Sequence, residues 1–110
     1  AYAHQHKLVH RDLKPGNIFV GKEEESSFVK IIDFGIVRFQ ADALPDKTAM
    51  TRTNMILGSP AYMSPEQCKG AAVDQRSDIY SLAVIMYEAL KGEPPFQAGS
   101  PMELMYKHMS

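Results

Sequence analysis

The chain has 110 residues, enough for one small domain and too few for two. It is 45% apolar and 23% charged, as ordinary globular proteins are, and twelve Lys and Arg against thirteen Asp and Glu leave a formal net charge of −1, which argues against a bulk electrostatic nucleic-acid binder. The one cysteine, Cys68, can form neither an internal disulfide nor a four-cysteine zinc site; the longest apolar stretch, near Leu82 to Tyr87, falls far short of the ~18 residues of a membrane span, and no signal peptide opens the chain, so composition points to a cytoplasmic location with no membrane contact in this segment.

Ala1 to Leu8 reads as the last turns of a helix whose beginning is missing. Leu8-Val9-His10 is a short extended entry into a polar loop, His10 to Asn17. Ile18 to Val20 and Phe28 to Ile32 are β-type runs joined by Gly21 and the charged stretch Lys22 to Ser27, which predicts a hairpin whose acidic triplet, Glu23 to Glu25, faces water in the turn. From Gln40 to Leu57 there is no clear period, only a polar, threonine-rich loop. Ser64-Pro65-Glu66-Gln67 is a helix-start pattern for a short helix ending near Gly70.

The strongest helix runs from about Ser77 to Lys91, with Gly92 as its C-cap. Ile79, Leu82, Ala83, Met86, Ala89 and Leu90 mark one face, and Val84, Ile85 and Tyr87 fill much of the rest, which predicts a buried central helix. Ser100-Pro101-Met102-Glu103 repeats the helix-start signature, yet the chain that follows Glu103 is too short for a settled helix. These cues together describe an interior piece of a larger domain.

Chemistry concentrates in the string His10-Arg11-Asp12-Leu13-Lys14-Pro15-Gly16-Asn17 and in Asp33-Phe34-Gly35. Asn17 and Asp33 offer two oxygen ligands suited to Mg²⁺, which keeps several waters and takes one or two carboxylates plus substrate phosphates. Asp12 is then free to orient a hydroxyl and accept its proton, and Lys14 adds a positive charge nearby. That set fits phosphoryl transfer, where positioning and charge stabilisation dominate. An isolated Asp beside Gly more often caps a turn. His10 with His4 and His6 lacks a carboxylate or cysteine at ligand spacing, so these read as packed or solvent-facing histidines rather than zinc ligands.

The motifs HRDLKPGN, DFG and a later SPE resemble the signature set of the eukaryotic-type (Hanks-type) serine/threonine protein kinases, and GSPAYMSPEQ (58–67), SDIYSLAVIMYEAL (77–90) and GEPPF (92–96) look most like bacterial members. The resemblance covers essentially the whole chain. It implies an α+β, protein-kinase-like fold: residues 1–110 as part of a C-terminal lobe, mainly helical with a short β-hairpin, with the N-lobe and last helices missing. It implies Asp12 as catalytic base, Lys14 on the transferring phosphate, Asn17 and Asp33 on Mg²⁺, and Phe19 beneath the adenine of ATP. His10 and Phe34 would belong to a packed spine, Ser59 would contact Asp12 and Lys14 through its hydroxyl, and Asp78 would brace the backbone of the catalytic loop, although Asp78 could also simply cap its helix.

Asp33 to Glu66 would be the activation segment. Phosphate on Thr51 or Thr53, less so on Thr48, would present charge and acceptor oxygens to Arg11; otherwise these threonines are solvated loop residues. Glu66 should pair with an arginine from a later helix, and without it should be left exposed or poorly ordered. No G-x-G-x-x-G and no strand lysine occur within the chain, so the piece alone is expected to be inactive. The parent is expected to phosphorylate Ser or Thr of protein substrates, with a kinase dimer and a membrane anchor outside this segment as further features it could carry. A pseudokinase or scaffold lobe is the alternative, and the presence of Asp12, Lys14, Asn17 and Asp33 together speaks for the enzyme.

Overall fold

The computed structural model describes residues 2–6, 8–33 and 59–110. Phe34, Thr48, Thr51 and Thr53 lie outside the described residues, and with them most of the expected activation segment.

A single helical turn, α1 (Tyr2–Gln5), leads through extended residues into the polar loop, which closes on a 3-10 turn at Pro15–Asn17. The expected hairpin follows as β1 (Ile18–Glu23) and β2 (Ser26–Ile31), antiparallel, with Ile18 opposite Ile31, Phe19 opposite Lys30 and Gly21 opposite Phe28. The strands run closer to the turn than the apolar runs suggest, leaving only Glu24 and Glu25 between them. Glu24 takes a positive φ of 52°, and the Ser26 hydroxyl donates to the Glu23 carbonyl (3.0 Å). Gly21 is needed for space: a Cβ there would run into the Phe28 ring.

Residues 59–64 form an extended stretch with a 3-10 turn at Pro60–Tyr62, then α2 (Pro65–Cys68) begins on a full capping box between Ser64 and Gln67. The central helix α3 (Gln75–Lys91) starts two residues earlier than its apolar pattern predicts, because Asp74 caps it: its side chain accepts from the Arg76 N–H (2.8 Å). It ends as expected at Gly92, in the left-handed conformation at φ 82°.

Among the described residues α3 is buried along one stripe only. Its buried residues are Ser77, Asp78, Ser81 and Val84, a narrow stripe at helical spacing, while Ile79, Leu82, Met86, Tyr87 and Leu90 are exposed. Helical periodicity finds the apolar side of a helix, but burial depends on what lies against it. Among the described residues the loop and the 59–66 segment lie against the polar stripe. The other buried apolar residues are Leu13 and Met63, so the core sits between the loop and this segment.

The last helix also departs from expectation. α4 (Pro101–Met109) is fully formed, with the Ser100 hydroxyl accepting from the Glu103 N–H (3.2 Å). The Glu103 carboxylate accepts from the Gly99 N–H (3.2 Å) rather than from Ser100. The length threshold for isolated helices is relaxed by tertiary contact, which His108 supplies. It is buried, its Nδ1 shares a hydrogen bond with the Tyr80 hydroxyl (2.8 Å), and the Phe96 ring meets its imidazole edge-on at 4.9 Å.

Burial pushes the His108 pKa below its ordinary value, with the carbonyls of Ala61 and Pro60 opposing, and Nε2 is buried without a hydrogen-bond partner. A lowered folded-state pKa means that the unfolded chain binds more protons near pH 6. The contribution is fully present above the ordinary His value of about 6.5 and is lost as pH falls through it toward the lowered one. Calorimetry of the full-length protein should therefore show a thermal midpoint that falls between pH 7.5 and 5.5, and less steeply after His108→Asn, which can still bond Tyr80 but does not titrate.

Candidate functional site

The polar loop holds a conformation it would not adopt alone. Arg11 has φ 67°, the left-handed region, which costs a bulky L-residue roughly 1–2 kcal/mol. The loop is held by Asp78, one turn into α3 and 5% exposed. One carboxylate oxygen, Oδ2, accepts from the His10 N–H (2.9 Å) and from His4 Nε2 (2.9 Å), while Oδ1 accepts from the Arg11 N–H (2.9 Å). A carboxylate can be buried when donors replace water in this way. The helix cap is Asp74, so Asp78 is engaged with the loop instead.

His10 is 2% exposed and ties the loop to the end of the hairpin. Its Nε2 donates to the Ile32 carbonyl (2.9 Å) and its Nδ1 accepts from the Asp12 N–H (3.3 Å), which together require the neutral imidazole protonated on Nε2. The Ile32 N–H in turn donates to the Asn17 carbonyl (2.9 Å). With both polar groups of Ile32 bonded, the backbone delivers Asp33 beside the loop, exposed and with φ 56°, a conformation Asp tolerates better than most residues.

Asn17 is 5% exposed; its Nδ2 donates to the Asp12 carbonyl (2.8 Å) and its own N–H to the Lys14 carbonyl (2.9 Å). Its amide oxygen accepts no hydrogen bond among the described residues. The Lys14 ammonium stands 3.2 Å from Asp12 Oδ2, both side chains about one-third exposed. Asp12, Lys14 and Asn17 are thus joined directly, and Asp33 follows the residue bonded to Asn17. Among the described residues no three His, Cys, Asp or Glu stand together as a metal cage. An amide oxygen and a carboxylate, completed by water and phosphate oxygens, nevertheless fit Mg²⁺. Phe19 is 55% exposed on β1, its ring 6.2 Å from that of Phe28.

The 59–67 segment forms the opposite wall of a small cleft lined by Arg11, Asp12, Leu13, Ser59, Tyr62 and Met63, among others. Hydroxyls dock it on α3. Ser81 donates to the Tyr62 carbonyl (2.7 Å), Ser77 donates to the Glu66 carboxylate, and the Tyr62 hydroxyl donates to Glu88 Oε2 (2.7 Å). Burial, reinforced by the Glu88 carboxylate, pushes the Tyr62 hydroxyl up to about 12, and the Ser77 hydroxyl holds the Glu66 carboxyl below its ordinary value.

Two expectations are corrected here. Glu66 is half-buried and hydrogen-bonded rather than left exposed, because Ser77, eleven residues later, supplies a donor. Ser59 lines the cleft beside Asp12 but, among the described residues, makes no hydrogen bond to Asp12 or Lys14, which pair with each other. Sequence reasoning read His4 only as a packed or solvent-facing histidine and Gln67 only as part of a helix start, and it passed over Tyr62, Ser77 and Ser81. The one available signal was a pair of serines four apart in an otherwise apolar helix, and it marks a close polar contact.

A family model described as "Protein kinase domain" matches residues 1–110. The chain is 45% identical over 108 residues to serine/threonine-protein kinase PknB of Mycolicibacterium smegmatis and 44% identical over 108 residues to PknB of Mycobacterium leprae, covering 98% of this chain and 16% of each relative. It is 44% identical over 110 residues to a probable serine/threonine-protein kinase PknB of Bifidobacterium longum, covering 99% of this chain and 15% of that protein. The chain thus spans about a sixth of the length of these relatives. No helix among the described residues is long and apolar enough to cross a membrane.

Asp78→Asn keeps the size of the side chain but turns one acceptor oxygen into a donor facing backbone N–H or His4. The expected cost is about 3 kcal/mol, the scale of breaking a buried charged network, read from urea unfolding of the full-length protein. A change below about 0.5 kcal/mol would show that the loop does not depend on it.

Proposed function

The chain belongs to the protein kinase family and is of the bacterial serine/threonine type; from that premise we propose that the full-length protein transfers the γ-phosphate of ATP to Ser or Thr hydroxyls of protein substrates, with the loop of residues 10–17 as its catalytic loop. The observation that carries this reading is the joined set Asp12, Lys14 and Asn17, ion-paired and hydrogen-bonded on one loop that α3 holds in a strained form.

Bound MgATP would supply the phosphoryl group and a compensating positive charge. The Asp12 carboxylate orients the substrate hydroxyl and takes its proton, and Lys14 beside it offsets negative charge on the transferring group. The Asn17 oxygen and the Asp33 carboxylate would hold the cation, and Phe19, exposed on β1, would offer the adenine a flat apolar contact. His10 and Asp78 keep these groups in register without touching the reacting atoms. The 59–67 segment faces the same cleft and is the candidate surface for the substrate peptide.

Assay of the complete protein with ATP and Mg²⁺ on a generic basic protein should show phosphate incorporation, with Asp12→Asn slower by about 10²–10⁴-fold, the range for a positioned general base. Equal incorporation by both proteins would refute the assignment of Asp12. Arg11 immediately before Asp12 suits a phosphate brought in by the polar threonine segment. Mass spectrometry of the active enzyme should find phosphate on Thr51 or Thr53, and unmodified threonines in fully active enzyme would remove them from its regulation.

A further inference from the structure

Resting on the kinase reading above, we propose that Gln67 is a positioning residue for phosphoryl transfer, its amide nitrogen holding the peptide unit that aims Asp12. Gln67 does two separable things. Its backbone N–H donates to Ser64 Oγ (3.4 Å) and its Oε1 accepts from the Ser64 N–H (3.0 Å), which is the capping box that starts α2. Its Nε2 donates to the Arg11 carbonyl (2.7 Å), across the cleft and fifty-six residues away in sequence. The box needs only an acceptor at this position, and Glu serves there as well as Gln. The bond to Arg11 needs a donor, which an ionised Glu lacks.

The Arg11 carbonyl and the Asp12 N–H belong to one planar unit. Gln67 holds its oxygen and His10 Nδ1 holds its N–H (3.3 Å). The unit before it is held at the Arg11 N–H by Asp78. Arg11, with φ 67° between the two units, is under steric pressure to rotate, and rotation about it would swing the Asp12 Cα and its carboxylate. Asp78 blocks that rotation from one side and Gln67 from the other. Ser64 is fully buried, and the segment that carries it is docked on α3 through Tyr62 and Ser81. Gln67 therefore couples the seating of the proposed peptide-binding segment to the direction of the proposed base.

The test uses the full-length kinase with Gln67→Glu and Gln67→Met. Gln67→Glu keeps the capping box but replaces the donor by a charged acceptor facing the Arg11 carbonyl, so kcat should fall about tenfold at pH 8, equivalent to about 1.4 kcal/mol in the barrier, with KM for ATP within twofold and the thermal midpoint nearly unchanged. As pH falls from 8 toward 5 a growing fraction of the introduced carboxyl, whose ordinary value is about 4.3, is protonated and can donate again, so the ratio of variant to wild-type kcat should begin to rise. Gln67→Met cannot donate at any pH and also gives up the capping-box acceptor, so it should show at least a comparable loss with a flat ratio and a lower thermal midpoint; if Gln67→Glu does not fold, full kcat in Gln67→Met overturns the proposal. Full kcat in Gln67→Glu, a flat ratio in that variant, or a loss tracking only a lowered thermal midpoint would overturn the proposal. An inactive wild type would refute the kinase reading and this inference with it, whereas an active wild type beside an unimpaired Gln67→Glu refutes this inference alone.

Discussion

The arrangement depends on one buried carboxylate. Asp78 accepts hydrogen bonds from two successive backbone N–H groups, those of His10 and Arg11, and from the His4 ring. Successive N–H groups converge on one carboxylate when the intervening residue leaves the ordinary helical and extended regions, and Arg11 does so. Hydrogen bonds to a charged acceptor contribute about 1.5–3 kcal/mol each, against roughly 1–2 kcal/mol for the left-handed conformation. The strained loop is therefore stable only against α3. His10, whose side chain reaches the hairpin, and Asn17, which closes the loop on Asp12, both take their positions from this anchor.

The contact between α3 and its neighbours is polar for a related reason. Ser77 and Ser81 are small enough for backbone to approach closely, and their hydroxyls supply donors to Glu66 and to the Tyr62 carbonyl. Leucines along this stripe would hold the segment further away and leave a buried carbonyl and carboxylate without partners. Directional bonds also fix the register of residues 59–67 on the helix, which apolar packing does only loosely. Exposed apolar side chains lie on other faces of α3, on α4 at Met102 and Tyr106, and on the hairpin, where Phe19, Val20, Val29 and Ile31 are open. Among the described residues burial and apolarity are thus partly inverted.

That inversion explains what was legible in the sequence. Local rules worked wherever the signal and its partner lie within a few residues: the hairpin, the Ser64–Gln67 box and the Gly92 cap form where the sequence places them. The start of α3 was misread because the cap, Asp74, precedes the apolar pattern by several residues. Its polar stripe was missed because periodicity was scored on apolar residues while serines make the contact to the loop and the 59–67 segment. α4 was discounted on length, since no local rule reveals that His108 will meet Tyr80 and Phe96. The bonds from His4 and Gln67 to positions 74 and 56 residues away carry no local signature at all.

Two non-glycine residues with positive φ, Arg11 and Asp33, sit on the two strands of chain that Ile32 and His10 tie together. In phosphoryl transfer the protein does little covalent work, so misdirection of a carboxylate by a fraction of an ångström is costly and rigidity is at a premium. An unstrained loop would have relaxed minima on either side of the required direction. A loop pushed into a narrow, sparsely populated well and bonded on every side has one. His10 contributes through its ring, whose Nδ1 accepts the Asp12 N–H and gives the peptide unit ahead of the carboxylate one of its two tethers. Strain and hydrogen bonding therefore act together here, the first narrowing the directions open to Asp12 and the second choosing among them.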